Sequence, residues 1–252
     1  MSSSSIQVSI ITPVYNGADH LPRVINSVCN QDGDFSYEHI IIDDGSSDST
    51  AAVLEEWSDR DDKLLCLFQP NRGAGAARNL GIEAASGRYI AFLDSDDLWL
   101  PGKLLAQIGF MQSKRVAFSH GDYEQRNRQT GASQPSFVAP DQVSYRDLLH
   151  SCPIGCLTAA YDQEALGKVY MPDVRRGQDW GLWLALTRKG GPAHKYPGVH
   201  AVYHAGGNSL STNKLAKLRD IYAIYREQEA LGVFASGWYL AHHAASAMRK
   251  QR

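Results

Sequence analysis

Strand-like and helix-like segments alternate along the first part of the chain, up to residue 94. Each strand-like segment is almost continuously apolar, which is typical of parallel strands that are buried on both faces. The predicted strands are residues 8–15, 39–46, 64–69 and 88–94, and the helices between and after them are 18–31, 48–57, 75–86 and 101–113. This alternation predicts an α/β fold with a Rossmann-like, mostly parallel central sheet flanked by helices.

The pattern becomes less regular after residue 115. We predict two strands around a polar, glutamine-rich loop, then a helix, a further strand and two closing helices, at residues 116–125, 156–166, 178–190, 199–211, 213–230 and 235–250. A chain of 252 residues is long for one α/β domain and short for two. We therefore expect one domain with a mixed second half and C-terminal helices.

Charge and cysteine content exclude several classes of function. The formal net charge is −2 and the sequence has no dense run of Lys or Arg, so no nucleic-acid partner is expected. The four cysteines are scattered without zinc-finger spacing, which favours reduced thiols and a cytoplasmic protein. No signal segment is recognised, and no apolar run approaches the roughly 18 residues of a membrane span.

Three carboxylates fall within four positions at the end of the fourth predicted strand. They are Asp94, Asp96 and Asp97, in the segment YIAFLDSDDLW. Like charges this close repel one another unless a cation or backbone donors offset them. Ligands of parallel sheets bind beyond the carboxyl ends of the strands, so this cluster should share a cleft with the segments TPVYNG and DDGSSD, which also follow strands.

Four interpretations of this layout are open on the residues alone. The segment GAGAAR is close to a dinucleotide-binding fingerprint, but Arg78 stands where the third glycine is needed. A phosphatase of the haloacid-dehalogenase type would carry its Asp-x-Asp pair on the first strand, whereas here three strand–helix units precede it. Asp96 or Asp97 could cap the helix at 101–113, which explains one carboxylate and not three. A divalent cation bound with a diphosphate would use Asp94 and Asp96, because Mg²⁺ and Mn²⁺ prefer oxygen ligands.

Four ordered segments together resemble the family 2 glycosyltransferases, nucleotide-sugar-dependent enzymes of the GT-A fold. The segments are VSIITPVYNGADHLPRVINSVCNQ, HIIIDDGSSDST, NRGAGAARNLGIEAASGRYIAFLDSDDLW and GQDWGLWLAL. The resemblance is close over about residues 6–120 and returns near 175–211. It implies a GT-A catalytic domain at 1–212, made of a nucleotide-binding part at 1–120 and an acceptor-side part at 121–212, with a helical extension at 213–252.

The resemblance also implies a role for each matching residue. The TPVYN and DDGS loops would hold the base, with Pro13 and Tyr15 flanking it and Asp44 accepting a hydrogen bond from its ring N–H, which suits uracil or thymine. Asp94 would contact the ribose, and Asp96 would hold Mn²⁺ or Mg²⁺, which neutralises the departing diphosphate. The expected nucleotide-sugar contacts are Thr12, Pro13, Tyr15, Asp44, Asn71, Arg78, Asp94, Ser95 and Asp96.

Asp179, in the segment GQDW, matches the catalytic base of the family. A carboxylate there can take the proton of the attacking hydroxyl in a single displacement, which inverts the configuration; the alternative is a helix N-cap. Gln178 replaces a glutamate that is usual in the family and is expected on the acceptor side, with Trp99 and with Trp180 unless Trp180 belongs to the core. His204 is expected as a second metal or phosphate contact, or else as a surface histidine.

The resemblance thus predicts an inverting, metal-dependent enzyme that moves a sugar from a UDP- or dTDP-sugar to a glycan or lipid-linked saccharide, with peripheral contact at the inner membrane face. The Gln-x-x-Arg-Trp segment of processive members is absent, so a single addition per acceptor is expected. Arg78 would steady the acidic loops or the diphosphate, unless it only neutralises carboxylates. Two rivals stay open: a sugar-1-phosphate nucleotidyltransferase, although TPVYNG lacks the required glycine- and arginine-rich loop, and a catalytically silent nucleotide-sugar-binding protein.

Overall fold

The computed structural model describes residues 6–33, 36–206 and 214–249 of the chain. The predicted alternation is present in its first half, with strands β1 (Val8–Val14), β2 (Tyr37–Asp43), β3 (Leu64–Phe68) and β4 (Tyr89–Phe92) and helices α1 (Leu21–Cys29), α2 (Thr50–Ser58) and α3 (Ala74–Ala84). These strands pair in parallel in the order β3-β2-β1-β4. The prediction of a Rossmann-like parallel sheet is confirmed.

The second half of the chain extends this sheet with strands of both directions. Its elements are β5 (Leu98–Trp99), α4 (Lys103–Lys114), β6 (Phe118–Asn127), β7 (Ser133–Phe137), β8 (Gln142–Val143), α5 (Tyr145–His150), β9 (Ala160–Asp162), α6 (Gln163–Leu166), α7 (Gln178–Gly190) and β10 (Ala193–Ala205). Over the described residues the sheet order is β3-β2-β1-β4-β9-β6-β10-β5, and β7 and β8 pair with β6 and β10. The mixed second half is therefore confirmed.

One strand of this half is much shorter than predicted. β9 spans three residues of the predicted segment 156–166, because the Asp162 side chain accepts hydrogen bonds from the backbone N–H groups of Glu164 and Ala165 and so starts α6. β9 runs antiparallel to both of its neighbours, β4 and β6. It therefore joins the parallel half of the sheet to the mixed half. Residues 207–211 of the last predicted strand lie outside the described part of the chain.

The C-terminal residues form α8 (Lys214–Ala223), a π-helical turn (Ile224–Gln228) and α9 (Val233–Arg249). The turn packs against the body of the protein, since the Tyr225 hydroxyl donates to the Leu149 carbonyl of α5 and the Tyr225 ring lies 5.1 Å from that of Trp180 in α7. The division into a catalytic domain at 1–212 and an extension at 213–252 stays a prediction.

Close approaches hold the helices on the sheet. A Cβ atom on Gly81 of α3 would lie 2.7 Å from Ile11 and 2.8 Å from Ile42, so only a glycine allows this helix to rest on β1 and β2 at this distance. On α7, the Trp183 ring lies 5.6 Å from Phe92 and 5.2 Å from Phe118. These contacts fix α7, which carries Asp179, against the sheet at β4 and β6.

The acidic loop after β4 does not cap the next helix. Helix α4 begins at Lys103, after Gly102 with a φ of 79°, and the only side chain that accepts from its first turn among the described residues is Gln31, whose Oε1 accepts from the Leu104 N–H at 3.1 Å. Asp97 is only 1% exposed and instead accepts a hydrogen bond of 2.9 Å from the backbone N–H of His204. The prediction that Asp96 or Asp97 caps this helix is therefore wrong, since Asp97 ties the acidic loop to β10.

Candidate active site

Two loops at the carboxyl ends of β1 and β2 are joined by hydrogen bonds. Asn16 has a φ of 51°, and this left-handed turn lets its N–H donate to Ser46 Oγ at 2.8 Å while its side-chain oxygen accepts from the Ser47 N–H at 2.8 Å. The same turn projects Tyr15 outward, so that 53% of it is exposed. Tyr15 thus presents an aromatic ring at the cleft, as expected for a residue that stacks on a base.

Asp44 connects the second loop to the loop after β3. One carboxylate oxygen accepts from Gln69 Nε2 at 2.7 Å and from the Arg72 N–H at 2.8 Å, and the other accepts from the Gly73 N–H at 2.8 Å. Gly73, with a φ of 93°, is the N-cap of α3. Asp44 is buried, with one acceptor position left on its second oxygen. Asn71 lies in the same loop, on the exposed rim of the cleft.

Thr12 and Pro13 do not lie at the surface of this cleft. Both are buried within β1, and Thr12 is fully inaccessible. The Thr12 hydroxyl contacts Nε2 of His39, a buried histidine of β2, at 2.9 Å. Successive side chains of a strand point to opposite faces of the sheet, and both faces are covered at Thr12 and Pro13. We therefore remove Thr12 and Pro13 from the nucleotide contacts.

Arg78 of α3 forms a buried ion pair at the end of β4. Its Nη2 donates to Asp94, and the exposed fractions of the two side chains are 8% and 29%. Burial alone would lower the pKa of the Arg78 guanidinium, but the charge and hydrogen bond of Asp94, together with the other nearby acidic groups, outweigh burial and the net shift is upward. Arg78 therefore stays charged beneath the acidic loop, where it fixes the Asp94 carboxylate. Ser95 follows at the surface of this loop and faces Gly17 of the first loop.

Asp96 is paired with an arginine that no sequence motif marked. Arg128 Nη2 donates to the Asp96 carboxylate, and about a third of each side chain is exposed. The Arg128 backbone N–H donates to the Ala205 carbonyl of β10 at 2.8 Å, which holds the arginine beside the acidic loop. Asp96 was expected to hold a metal, and in the structure an arginine occupies that side of the carboxylate.

A cavity of about 400 Å³ opens next to Asp94. Its lining includes Asp94, Asp97, Tyr123, Asp179, Trp180 and Tyr203. The acidic loop and the GQDW segment therefore meet at one site, although they lie on different elements. A space of this size suits a sugar residue with part of its acceptor.

Asp179 lies in the first turn of α7, which begins after the N-cap Gly177, so the alternative that Asp179 is itself the N-cap is wrong. Burial raises the pKa of the Asp179 carboxyl above its usual value, while the Arg78 guanidinium and the backbone N–H of Trp180 oppose this shift. A carboxylate with a raised pKa beside a cavity is a candidate general base.

Gln178 packs against the glycine-rich segment GAGAAR at the contact between α7 and α3. Gln178 is 8% exposed, and a Cβ atom on Gly75 would lie 3.1 Å from its Cγ. Gly75 therefore allows α3 and α7 to approach each other closely, which gives the GAGAAR segment a packing role. Gln178 packs between these helices and does not line the cavity, so its side chain is not placed to make the expected contact with an acceptor there.

The two tryptophans expected at the acceptor differ in their placement. Trp99 is 3% exposed, its Nε1 donates to the Leu157 carbonyl at 2.8 Å, and the Lys103 amine lies 3.5 Å from the ring centroid. Trp99 is thus buried in the core, and we remove it from the acceptor wall. Trp180 is equally buried and donates to the Leu148 carbonyl at 2.8 Å, but its edge lines the cavity.

The donor set near Asp96 fits a divalent cation shared with a diphosphate. His204 Nδ1 is buried and has no hydrogen-bond partner among the described residues. Burial and the charge of Arg23 lower the pKa of His204, which keeps its imidazole neutral and able to ligate. No group of three or more His, Cys, Asp or Glu side chains is arranged for a metal in the described part of the chain. One carboxylate and one imidazole would therefore need phosphate oxygens to complete the shell.

Several residues of this site carry no signal in the sequence. Arg128 follows a strand in the glutamine-rich loop, Tyr123 and Tyr203 lie on neighbouring strands, and Cys152 and Cys156 bring the CPIGC segment to the cavity. The pairing of β6 with β10 places Tyr123 5.9 Å from Tyr203. These residues meet only because distant strands pair, so a local pattern could not have found them.

Comparison with known sequences gives a consistent family. The sequence model of the protein family described as "Glycosyl transferase family 2" matches residues 9–166. The "Putative teichuronic acid biosynthesis glycosyltransferase TuaG" of Bacillus subtilis (strain 168) is 37% identical over 246 residues, which are 97% of each chain. The "UDP-Glc:alpha-D-GlcNAc-diphosphoundecaprenol beta-1,3-glucosyltransferase WfgD" of Escherichia coli is 35% identical over 96% of this chain and 94% of its own.

Comparison with solved structures gives the same fold. TarS 1–349 of S. aureus in complex with UDP-GlcNAc superposes with a TM-score of 0.70 at 18% identity, covering 93% of this chain and 70% of that one. The mannosyltransferase PcManGT of Pyrobaculum calidifontis, in complex with GDP-Man and Mn²⁺, superposes with a TM-score of 0.66 at 18% identity, covering 96% and 74%. The arrangement of strands and helices is therefore that of the GT-A fold.

Proposed function

The chain belongs to glycosyltransferase family 2, and from that premise we propose that it transfers one sugar from a UDP- or dTDP-sugar to a hydroxyl of a lipid-linked saccharide or glycan, with inversion. One observation carries the proposal: Asp94 at the donor side and Asp179, whose pKa is raised, line one cavity. Neither a sugar-1-phosphate nucleotidyltransferase nor a catalytically silent binding protein is needed as an explanation. The relatives are named glycosyltransferases, and the carboxylates Asp96 and Asp179 are both present.

The donor would lie along the carboxyl ends of β1 to β4. Tyr15 offers an exposed ring for stacking on the base, and Asp44 keeps one acceptor position for the ring N–H of a pyrimidine. Asp94, held by Arg78, would accept hydrogen bonds from the ribose hydroxyls. The UDP-Glc donor of WfgD and the UDP-GlcNAc bound to TarS support a UDP-sugar donor.

Asp179 would act as the general base. The acceptor hydroxyl oxygen bonds to the anomeric carbon while the bond from that carbon to the diphosphate oxygen breaks, and the hydroxyl proton passes to an Asp179 oxygen. One displacement of this kind inverts the anomeric configuration and forms no covalent enzyme intermediate. Burial makes Asp179 a stronger base than an exposed carboxylate, and the nearby charge of Arg78 favours its ionised form at neutral pH.

Asp96 and His204 would hold the cation. When bound, a divalent ion such as Mn²⁺ neutralises the charge that builds on the departing diphosphate. Arg128 occupies one oxygen of Asp96, so it would compete with the cation for this carboxylate. The Mn²⁺ in the PcManGT complex supports this choice of metal.

The acceptor would enter the cavity from the side of Trp180, Tyr123 and Tyr203, whose aromatic surfaces suit the apolar face of a pyranose. The diphosphoundecaprenol-linked substrate of WfgD supports a lipid-linked saccharide as acceptor, and the assignment of TuaG to teichuronic acid biosynthesis supports a glycan. We place the reaction on the cytoplasmic side of the membrane, where the Cys29, Cys66 and Cys156 thiols stay reduced.

The decisive test is the variant Asp179→Asn, with the exposed Asp59→Asn as its matched control. We expect transfer to fall by about 10²–10⁴-fold in Asp179→Asn, because the base is lost. Calorimetric affinity for UDP with Mn²⁺ should change little in either variant. Unchanged turnover of Asp179→Asn would show that Asp179 is not the general base. A product whose anomeric configuration is retained, as seen by NMR, would contradict the single displacement.

Donor and acceptor identity need a separate screen. Purified protein would be offered UDP-glucose, UDP-N-acetylglucosamine and their dTDP counterparts with a panel of lipid-linked and soluble saccharides, and the products read by mass spectrometry. We expect the mass of one sugar residue to be added per acceptor. Ladders of repeated addition would contradict the non-processive assignment.

A further inference from the structure

The last helix exposes a concentrated apolar face. In α9, Val233, Phe234 and Trp238 are 59%, 95% and 64% exposed. Phe234 and Trp238 are four residues apart, so the two rings lie side by side on one face of the helix. We call Val233, Phe234 and Trp238 the aromatic face of α9.

The opposite face of the same helix packs towards the active-site cavity. Tyr239 stacks on Tyr225 with ring centroids 5.9 Å apart, and the His243 ring lies 5.1 Å from Trp180. Both His243 and Trp180 line the cavity that contains Asp179. A helix with its side chains is about 10 Å thick, so a single helix separates the aromatic face from the acceptor cavity.

The charge of this end of the chain is opposite to that of the whole. Residues 214–252 contain seven Lys and Arg and three Asp and Glu, and no Asp or Glu follows Glu229, whereas the full chain carries a net charge of −2. An apolar helix face combined with an excess of cations is the pattern by which interfacial helices bind anionic membranes. No helix in the described part of the chain is long and apolar enough to cross a bilayer.

We infer that the aromatic face of α9 docks the enzyme onto a bilayer surface that contains anionic lipids. This inference rests on the proposed function, because it concerns how a lipid-linked acceptor reaches the cavity. Phe234 and Trp238 enter the boundary between headgroups and acyl chains, with the helix axis along the membrane plane. The sugar end of an acceptor anchored in that bilayer then lies about one helix diameter from the cavity. A second copy of the chain is a poorer occupant, because a two-fold contact through this face would bring two cationic ends together.

The test uses the full-length protein and lipids alone, with no sugar nucleotide. Vesicles made of equal parts of phosphatidylglycerol and phosphatidylcholine are compared with pure phosphatidylcholine in a flotation assay. We expect binding to the anionic vesicles, and a loss of about tenfold or more in the partition coefficient of the double variant Phe234→Ser/Trp238→Ser. Leu105→Ser is the matched control, because Leu105 is 54% exposed on α4 and should bind like the wild type.

A second readout reports on the tryptophan itself. Trp99, Trp180 and Trp183 are at most 3% exposed and Trp57 is partly exposed on α2, so the difference in quenching by brominated lipid between the wild type and Trp238→Phe reports on Trp238. We expect strong quenching in the wild type and little in Trp238→Phe, whose vesicle binding should persist. Near-ultraviolet circular dichroism verifies that the variants are folded.

Three results would overturn the inference. They are a wild type that does not bind the anionic vesicles, a double variant that binds as well as the wild type, and a dimer seen by light scattering that the double variant abolishes without any vesicle binding. Failure of the proposed function gives a different result: no sugar transfer to any acceptor, while vesicle binding still depends on Phe234 and Trp238. Transfer to acceptor in vesicles that falls in the double variant, with transfer to a water-soluble acceptor retained, supports both.

Discussion

His39 should make the stability of this protein depend on pH. The side chain is 2% exposed on β2, and its Nε2 contacts the Thr12 hydroxyl of β1 at 2.9 Å. Burial lowers the pKa of His39 from 6.5 to about 3. The imidazole is therefore neutral in the folded protein at any pH at which the enzyme is expected to work.

The direction of the effect follows from this lowered pKa. Between pH 6.5 and pH 3 the unfolded chain binds a proton at His39 that the folded chain does not bind, so the free energy of unfolding falls as the pH falls. The slope of the free energy of unfolding against pH approaches about 1.4 kcal/mol per pH unit. From pH 7 to pH 5, His39 alone should therefore cost about 2 kcal/mol of stability.

The perturbation is His39→Gln, measured by urea unfolding at pH 7 and pH 5 with circular dichroism as the probe. We expect the variant to be less stable than the wild type at pH 7, because the Thr12 contact is altered, but to lose about 2 kcal/mol less between the two pH values. His242→Gln replaces an exposed histidine and serves as the control. If His39→Gln kept the pH dependence of the wild type, the assignment of a neutral buried imidazole would be refuted.

Three further outcomes are expected. Lys103→Met should raise the free energy of unfolding at pH 7 by about 1–3 kcal/mol in urea titrations, because the buried Lys103 amine has no hydrogen-bond partner among the described residues and its pKa is lowered well below normal by burial; a loss of stability would contradict this. Gly81→Ala should be about 2 kcal/mol less stable than Gly109→Ala, since a Cβ at Gly81 meets two isoleucine side chains below 3 Å whereas a Cβ at Gly109 meets open space; equal melting temperatures would count against the packing argument. Arg128→Gln should tighten Mn²⁺ binding measured by calorimetry in the presence of UDP by about fivefold, because the partly exposed ion pair with Asp96 no longer competes with the metal; unaltered Mn²⁺ affinity would mean that Asp96 is not the ligand.

Much of the architecture follows from local patterns in the sequence. Continuous apolar runs identified β1 to β4, and the position of polar segments after those runs placed Tyr15, Asp44 and Asp94 at one edge of the sheet. The period of α7 was also readable, and its boundaries match the prediction at both ends. These features depend on neighbours within a few residues, which is the range over which periodicity carries information.

The errors share a different cause. Thr12 was expected in the cleft and contacts His39, and Trp99 was expected at the acceptor and lies in the core. Asp97 was expected at a helix terminus and binds the backbone of His204, which is 107 positions away in the chain. In each case the motif was read correctly, but the direction of the side chain was set by a distant partner.

The sequence by itself determined the family, the strand–helix order and the edge of the sheet at which the site lies, because these follow from hydrophobic periodicity and from the order of short motifs. The tertiary structure alone decided that Arg128 pairs with Asp96, that Arg78 fixes Asp94 beside Asp179, and which tryptophan borders the cavity. Those outcomes depend on β9 inserting between β4 and β6 and on β6 pairing with β10. Long-range pairing of this kind sets which side chains are buried and which charges meet, and no local pattern encodes it.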